Sequence, residues 1–202
     1  AINGFEQALE AFVTIDVALA VANVVTSSGT AWICPRVTPS DSHMRFVALT
    51  NACIPDCVPV DVQQSNSGVL VTGFNSSGKS TLLRSIGMAT VLHQVTGVVP
   101  AGDAAMPVFD RICSRAGATD ALAIGCSTFM SQLLDTAKIL RAIDNTPGHK
   151  LALFDEVGAN TNEVEGFALA VSIMNFCVAR GANSWFATHF TAPKIQKRVV
   201  MD

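Results

Sequence analysis

The chain has 202 residues; half of them are apolar, 14% are charged, and the formal net charge is −3. This length is enough for one large domain with a buried core, and the lack of a basic excess argues against a domain that binds nucleic acid strongly by itself. We find no signal peptide, and Ser27-Ser28-Gly29-Thr30 interrupts the longest uncharged run, 17–35, so the sequence predicts no membrane span and no membrane partner.

The first part of the chain predicts one helix and two short strands. Residues 4–24 carry apolar side chains at helical spacing on one face: Phe5, Leu9, Phe12, Ile15, Leu19 and Ala22. Strands are predicted at 31–37, where Pro35 favours a sheet edge, and at 45–49. The segment 51–66 contains two prolines and few periodic positions, so we predict irregular structure there.

A phosphate-binding loop follows at 73–81, where Gly-Phe-Asn-Ser-Ser-Gly-Lys-Ser-Thr matches the pattern G-x-x-x-x-G-K-[ST]. The pattern lies between a predicted buried strand at 68–72 and a predicted helix at 81–95. This is the setting that the motif requires, because the free N–H groups at a helix start attract anions, and it makes an accidental Gly/Ser turn a poor alternative. The predicted nucleotide-binding residues are Gly73, Asn75, Ser76, Ser77, Gly78, Lys79, Ser80 and Thr81.

Strands and helices alternate over the rest of the chain. We predict loops at 97–107 and 117–125, strands at 108–115, 151–154 and 185–187, and helices at 128–143 and 162–180, with Gly181 as a C-cap. This alternation predicts an α/β fold with a mostly parallel sheet flanked by helices.

Four residues have predicted chemistry around a bound phosphate. Lys79 is expected to reach the β- and γ-phosphates, and the Ser80 hydroxyl to ligate Mg²⁺. Asp155 and Glu156 follow the apolar strand 151–154, which places them at its carboxyl end beside the loop. We predict that Asp155 holds Mg²⁺ through its water shell and that Glu156 orients or deprotonates the attacking water. The alternative is a helix-capping turn without chemistry.

His189 follows the last predicted strand, and we expect it at the same carboxyl edge. There it can hydrogen-bond a γ-phosphate, and we predict it as a second catalytic residue. Spacing alone leaves a structural role for this histidine open.

The six cysteines offer little evidence for a metal site. Cys53 and Cys57 form a C-x3-C pair without a second pair or a histidine partner, which is a weak zinc signal. Beside an intracellular nucleotide motif, reduced thiols are expected.

Four segments together resemble the ATPase domain of the MutS family of DNA mismatch-repair and recombination ATPases. They are the phosphate loop 73–81, Gly-Cys-Ser-Thr-Phe-Met at 125–130, Asp-Glu-Val-Gly at 155–158 and Ala-Thr-His-Phe at 187–190. The resemblance is clear from 58 to 190. The variant Asn75-Ser76-Ser77 is more similar to the eukaryotic meiotic branch than to the bacterial repair proteins.

The resemblance implies more than spacing shows. The family belongs to the ABC-type P-loop ATPases, so the expected ligands are ATP or ADP and Mg²⁺. Ser127 would belong to the signature segment that completes the nucleotide site of a partner subunit in a homo- or heterodimer. Asn75 would contact phosphate or the attacking water. The implied function is ATP hydrolysis that couples nucleotide state to DNA clamping by other domains, in mismatch repair or meiotic recombination.

The resemblance also implies a domain division and a location. Residues 1–28 would be the helix that leads into the ATPase domain, at the end of the lever region. Residues 29–202 would be the ATPase domain without its C-terminal dimerisation helices, as in an excised or shortened domain. A eukaryotic protein, which we favour, would act in the nucleus, and a bacterial one in the cytoplasm.

Three departures from the family pattern keep other functions open. Gly158-Ala159-Asn160-Thr161 replaces the usual Gly-Arg-Gly-Thr, Phe74 replaces a proline, and Cys57 stands near the place of an aromatic residue that stacks on adenine. The alternative function is a nucleotide-dependent interaction module that hydrolyses ATP weakly or not at all. Another ABC-type ATPase is a third option, although Ser-Thr-Phe-Met at 127–130 differs from the Leu-Ser-Gly-Gly-Gln of transporters.

Overall fold

The computed structural model describes residues 2–38, 43–64, 68–74, 76–115, 128–158, 161–188 and 198–200. Its helices are α1 (Ile2–Ser27), α2 (Lys79–Thr96), α3 (Thr128–Asn145) and α4 (Glu163–Ala179). Its strands are β1 (Arg36–Val37), β2 (Met44–Leu49), β3 (Val60–Gln64), β4 (Val69–Thr72), β5 (Asp103–Met106), β6 (Arg111–Arg115), β7 (Lys150–Asp155), β8 (Ala182–Thr188) and β9 (Arg198–Val200).

The larger sheet has five parallel strands in the order β6-β7-β8-β4-β9. Its central strands β7, β8 and β4 are buried along their whole length because both of their faces are covered. Side chains alternate between the faces: Leu151 and Leu153 of β7 belong to one hydrophobic cluster, and Ala152 and Phe154 to another. The prediction of an α/β fold with parallel core strands is confirmed.

Helices cover both faces of this sheet. On one face α2 contributes Leu83 and Ile86 to the first cluster. On the other face α3 and α4 contribute Ile143, Ile173 and others to the second cluster, where the rings of Phe154 and Phe186 stack with centroids 4.7 Å apart. Each such buried side chain stabilises the fold by about 1.5–3 kcal/mol. The two clusters therefore hold β4, β7 and β8 firmly side by side.

A second, mixed sheet has the strand order β1-β5-β2-β3. Strand β2 pairs antiparallel with β3 and with β5, whereas β1 pairs parallel with β5 at the edge. Trp185 of β8 donates its Nε1–H to Oε1 of Gln64 at 2.6 Å, and both side chains are fully buried. This hydrogen bond ties the end of β3 to the centre of the larger sheet.

Helix α1 confirms the helix predicted at 4–24, but its apolar side chains are exposed. Phe5 is 71% and Phe12 68% exposed, and Leu9, Ile15 and Leu19 are more than half exposed. Within the described residues, the stretch 4–27 of α1 is long and apolar enough to cross a membrane by length and composition. The uncharged run 17–35 overlaps this stretch at residues 17–27. Core helices and signal sequences meet the same criterion, so this is weak evidence for a span.

Several predicted elements need correction. The prediction of irregular structure at 51–66 is wrong in part, because this segment contains β3. The prediction of a loop at 97–107 is also wrong in part, because this segment contains β5. These short strands lie beside prolines and mostly lack a run of β-branched residues, so they give little local signal. The strand predicted at 31–37 is reduced to 36–37, at the expected edge. Strand β9 was not predicted.

Candidate functional site

The carboxyl ends of β7, β8 and β4 meet at one edge of the larger sheet. Asp155 pairs with Ala187 of β8, and Ala187 pairs with Val71 of β4. Neighbouring strands are about 4.8 Å apart, so Asp155 lies about 10 Å from the strand that leads into the phosphate loop. The register thus brings the loop and the acidic strand end together, as parallel strands of this order require.

The described part of the loop has the backbone shape of an anion cradle. Ser76 and Gly78 have positive φ angles of 68° and 91°, and the Ser77 N–H donates to the Phe74 carbonyl at 3.2 Å. Residue 78 precedes the first turn of α2, whose N–H groups have no partner within the helix. Only glycine adopts a φ near 90° readily, which explains the glycine at 78.

Lys79 is buried within this loop, with 5% of its surface exposed. Its ammonium donates hydrogen bonds to the carbonyl oxygens of Gly73 at 2.9 Å and Phe74 at 2.8 Å. A buried ammonium needs such partners because desolvation of an unpaired charge is costly. The carbonyl oxygens of the loop therefore hold the positively charged Lys79 ammonium at the place where the sequence predicts phosphate.

Two buried oxygen atoms at this edge lack a hydrogen-bond partner among the described residues. They are Oδ1 of Asp155, a residue only 7% exposed, and Oγ of Ser77. An unsatisfied buried polar atom costs about 1–3 kcal/mol, so each of these two atoms needs a partner, which a ligand, an ion or a water molecule can supply. A carboxylate oxygen in this position suits a hard cation or its coordinated water.

The donor set fits magnesium better than a metal caged by protein. Within the described ranges there is no group of three or more His, Cys, Asp or Glu side chains that could hold a metal ion. Mg²⁺ usually takes one or two protein ligands and completes its shell with water and phosphate oxygens. Asp155 and Ser80 would be these protein ligands.

Glu156 sits in a strained conformation directly after β7. Its φ is 54°, in the left-handed region that glutamate rarely adopts, and its N–H donates to the Ala187 carbonyl at 3.0 Å. The side chain is exposed at the carboxyl edge. Such strain costs about 1–2 kcal/mol and is concentrated at functional positions in proteins. The backbone therefore turns Glu156 outward while Asp155 stays buried.

A cavity of about 340 Å³ adjoins the phosphate loop. The loop forms one wall, and apolar and small polar side chains form the rest; the lining residues are Leu49, Cys57, Val58, Val60, Ser76, Ser77, Gly78, Thr81, Leu82 and Ser85. Its size falls within the range of small-molecule sites. None of the described residues that line it is aromatic, and Cys57 is part of the wall.

Asn51 organises the outer wall of this cavity, a role that no local sequence signal predicts. Its backbone N–H donates to Cys57 Sγ at 3.3 Å, its Oδ1 accepts from the Cys53 N–H at 3.0 Å, and its Nδ2 donates to Ser85 Oγ at 3.2 Å. Asn51 is buried, with only 6% of its surface exposed. These bonds fasten the turn at 51–57 to α2. The described cysteines, including Cys53 and Cys57, are free thiols, as predicted.

Gly158→Ala is expected to destabilise the turn that follows Glu156. The φ of Gly158 is 81°, and a Cβ there would lie 2.5 Å from the carbonyl oxygen and 2.6 Å from Cα of Gly166, which are backbone atoms that cannot swing aside. We expect a loss of about 3 kcal/mol or more in the free energy of unfolding, measured in urea.

Gly181→Ala is the matched control for this prediction. Gly181 also has a positive φ, 65°, but no atom of the described part of the chain lies within 4 Å of its added Cβ. That variant should show only the left-handed strain of about 1–2 kcal/mol. Equal losses in the two variants would contradict a steric role for Gly158.

Three predicted site residues lie outside the described residues: Asn75, Ser127 and His189. Of the others, Gly73, Ser76, Ser77, Gly78, Lys79, Ser80 and Thr81 lie in or next to the loop, and Asp155 and Glu156 at the neighbouring strand end. The structure brings these described residues to one edge of the sheet.

The part of the chain that contains this site is similar to known proteins. Residues 69–199 match the protein family described as MutS domain V. The chain is 40% identical over 141 residues to the DNA mismatch repair protein MutS of Thermotoga maritima and 42% identical over 134 residues to that of Thermus aquaticus, in each case over 66% of this chain. It is 34% identical over 185 residues, 87% of this chain, to that of an Exiguobacterium species. The chain spans 16% to 21% of the length of these relatives.

Proposed function

This chain belongs to the MutS family, and we propose that it is an ATP-binding and ATP-hydrolysing domain of the ABC-type P-loop class. Its nucleotide state would control the clamping of DNA by domains outside residues 1–202. The observation that carries the proposal is the buried Oδ1 of Asp155, which has no hydrogen-bond partner among the described residues and lies on a strand in register with the one that enters the phosphate loop.

Each described residue of the site has a part in the proposed chemistry. The N–H groups of the loop and of the first turn of α2 bind the phosphates, and Lys79 leaves the Gly73 and Phe74 carbonyls to bind the β- and γ-phosphates. Ser80 and Asp155 hold the magnesium site, directly or through water. Mg²⁺, when bound, neutralises the charge that develops on the transferred phosphoryl group.

Glu156 is the proposed general base. The strained backbone presents its carboxylate at the carboxyl edge, where it can accept a proton from a water that attacks the γ-phosphate. Proton removal of this kind contributes about 10²- to 10⁴-fold to a rate. His189 is proposed to hydrogen-bond the γ-phosphate and Asn75 to contact phosphate or the water, on the basis of their positions in the sequence.

The cavity beside the loop is the proposed site for the base of the nucleotide. It opens onto the loop residues that would hold the phosphates, and its wall is mainly apolar. Cys57 and Val58 lie where stacking by an aromatic ring would otherwise be expected. Base binding would then depend on apolar contact with small side chains, which provides less area than a ring.

A second MutS-family subunit is the proposed protein partner. Ser127, directly before α3, would complete the nucleotide site of that subunit, so that two chains enclose two nucleotides. The high exposure of Phe74, 85%, supports a partner over the loop, because a large apolar side chain beside a ligand site is usually covered in the working assembly.

The domain division and the cellular role follow from the same proposal. Residues 1–28 would join the ATPase domain at 29–202 to the rest of a longer protein, and the exposed apolar surface of α1 supports contacts with that remainder. The names of the relatives support mismatch repair as the process, and meiotic recombination is the variant that the loop sequence 75–77 favours. The protein would act in the nucleus of a eukaryotic cell, or otherwise in the cytoplasm.

A nucleotide-dependent switch with weak or no hydrolysis is the second candidate function. The sequence of the 158–161 loop, which lacks the arginine usual in the family, and the cysteine in the cavity wall favour it. Single-turnover ATP hydrolysis at saturating nucleotide separates the two functions. Conversion of bound ATP to ADP supports the ATPase, and tight binding without conversion supports the switch.

If two chains together form each nucleotide site, the rate of ATP hydrolysis per chain should depend on protein concentration. Association of two chains loses translational and rotational freedom worth about 4–15 kcal/mol, so the isolated chain should be a monomer without ATP. Specific ATPase activity should therefore rise with protein concentration. Ser127→Ala should lower that activity, because Ser127 would act across the dimer.

Mixing variants provides the control for this prediction. A dimer of one Ser127→Ala chain and one Lys79→Ala chain keeps one site with both intact halves, so activity should partly return. Per-chain rates that stay flat over a wide concentration range, with no recovery on mixing, would show that hydrolysis needs no partner.

A further inference from the structure

We infer that Arg115 is a positioning residue that holds the acidic strand end at Asp155 and Glu156 and joins it to α3. The inference deepens the proposed ATPase function and rests on it. Arg115 is the last residue of β6.

The first observation is the burial of Arg115 at the same edge as the site. Only 7% of Arg115 is exposed, and its register partner on β7 is Phe154, the residue before Asp155. Its Nη1 donates to the carbonyl oxygen of Asp155 at 3.4 Å. The guanidinium thus reaches one residue beyond its own register position, onto the backbone that carries the two predicted functional carboxylates.

The second observation is the set of charges around the guanidinium. Burial lowers the pKa of Arg115 from its ordinary value, and the carboxylates of Asp135, Asp155 and Glu156 act in the opposite direction. An arginine stays protonated in proteins, so these carboxylates face a permanent positive charge. A buried cation needs such partners to offset its desolvation. Two of the three are the proposed magnesium and base residues.

The third observation is that one of these carboxylates belongs to another element. Asp135 lies on α3, two helical turns after Thr128, and it also accepts a hydrogen bond from Lys138 Nζ at 2.8 Å. Helix α3 packs against β6. Arg115 can therefore act on the strand end through its hydrogen bond to the Asp155 carbonyl and on α3 through the charge of Asp135.

This arrangement has a mechanical consequence. Helix α3 begins directly after Ser127, the residue proposed to contact the partner's nucleotide. A shift of α3 against β6 would move Asp135 relative to Arg115 and so change the support of the Asp155–Glu156 backbone. Arg115 would then link the two nucleotide sites of a dimer through one chain.

The test is Arg115→Gln in the 202-residue chain, with single-turnover ATP hydrolysis and the affinity for a non-hydrolysable ATP analogue measured separately. We expect hydrolysis to fall about tenfold or more, while affinity changes less than about threefold, because Glu156 is misplaced but the phosphate loop is untouched. Arg115→Lys keeps the charge but not the planar donor set, and should recover part of the lost rate.

Arg180→Gln is the matched control. Arg180 bonds Asp144 near the far end of α3 through Nε at 2.9 Å, is well exposed, and lies outside the site. This variant should hydrolyse ATP at the wild-type rate. Asp135→Asn should lower the rate about threefold, and its effect should not add to that of Arg115→Gln, since both remove the same link.

The outcomes separate this inference from the function on which it rests. No hydrolysis by the wild-type chain at high concentration would contradict the ATPase itself. A wild-type chain that hydrolyses ATP and a folded Arg115→Gln variant within twofold of it would contradict the inference alone. Should Arg115→Gln fail to fold, wild-type rates in both Arg115→Lys and Asp135→Asn would overturn it.

Discussion

Lys79→Ala is expected to abolish tight ATP binding and, with it, hydrolysis. The ammonium is buried at the phosphate loop and already donates two hydrogen bonds to loop carbonyls at 2.8 and 2.9 Å. A charge-assisted hydrogen bond contributes about 1.5–3 kcal/mol, and Lys79 would make at least one to each of two phosphates. We therefore expect affinity to fall at least about 100-fold, measured by fluorescent ATP titration.

Lys150→Ala is the matched control for the loss of a buried lysine. Lys150 is 8% exposed and begins β7, at the opposite end of the strand from Asp155. Both variants should lose some stability, but only Lys79→Ala should lose nucleotide. ATP affinity that is unchanged in Lys79→Ala, or that falls equally in both, would contradict the proposed phosphate site.

Glu156→Gln is expected to bind ATP normally and to retain it without cleavage. The amide has the shape of the carboxylate but cannot accept the proton of the attacking water, so single-turnover hydrolysis should fall about 10²- to 10⁴-fold. Affinity should stay within about threefold of the wild-type value, since Glu156 is not proposed to bind phosphate. Quenched-flow analysis of bound nucleotide would show ATP that persists.

Glu165→Gln tests whether any nearby acid has this effect. Glu165 is an exposed glutamate in the first turn of α4, and its Oε2 accepts a hydrogen bond from the Thr161 hydroxyl at 2.9 Å. Its substitution should leave the rate of hydrolysis unchanged. Hydrolysis at the wild-type rate in Glu156→Gln would instead exclude Glu156 as the base.

The parallel sheet and its helices could be predicted because their signals are local. Strands β4, β7 and β8 contain short apolar runs at 69–71, 151–154 and 185–187. Helices α3 and α4 show clear boundaries, such as the Asn162 side chain that accepts from the Glu165 N–H at 2.9 Å. The phosphate loop and the acidic pair were found for the same reason. Each is a short motif at the end of an apolar strand.

Two strands of the second sheet, β3 and β5, and two site residues could not be predicted, because their signals depend on distant parts of the chain. Strands β3 and β5 form by pairing with β2, which lies apart from β5 in sequence, and not by strong strand propensity. Asn51 acts through Ser85, 34 positions away, and Arg115 through Asp155, 40 positions away. One sequence gives no record of such contacts.

The left-handed backbone at Glu156 bears on how this protein can be engineered. Residue 156 has a φ of 54°, in a region that glycine and asparagine tolerate better than glutamate. Replacing Glu156 by either of them would remove up to about 1–2 kcal/mol of backbone strain. A library sorted only for heat resistance should therefore enrich these two residues at 156. The most thermostable clones would then be the ones that had discarded the proposed base, so such a selection must score turnover alongside melting temperature.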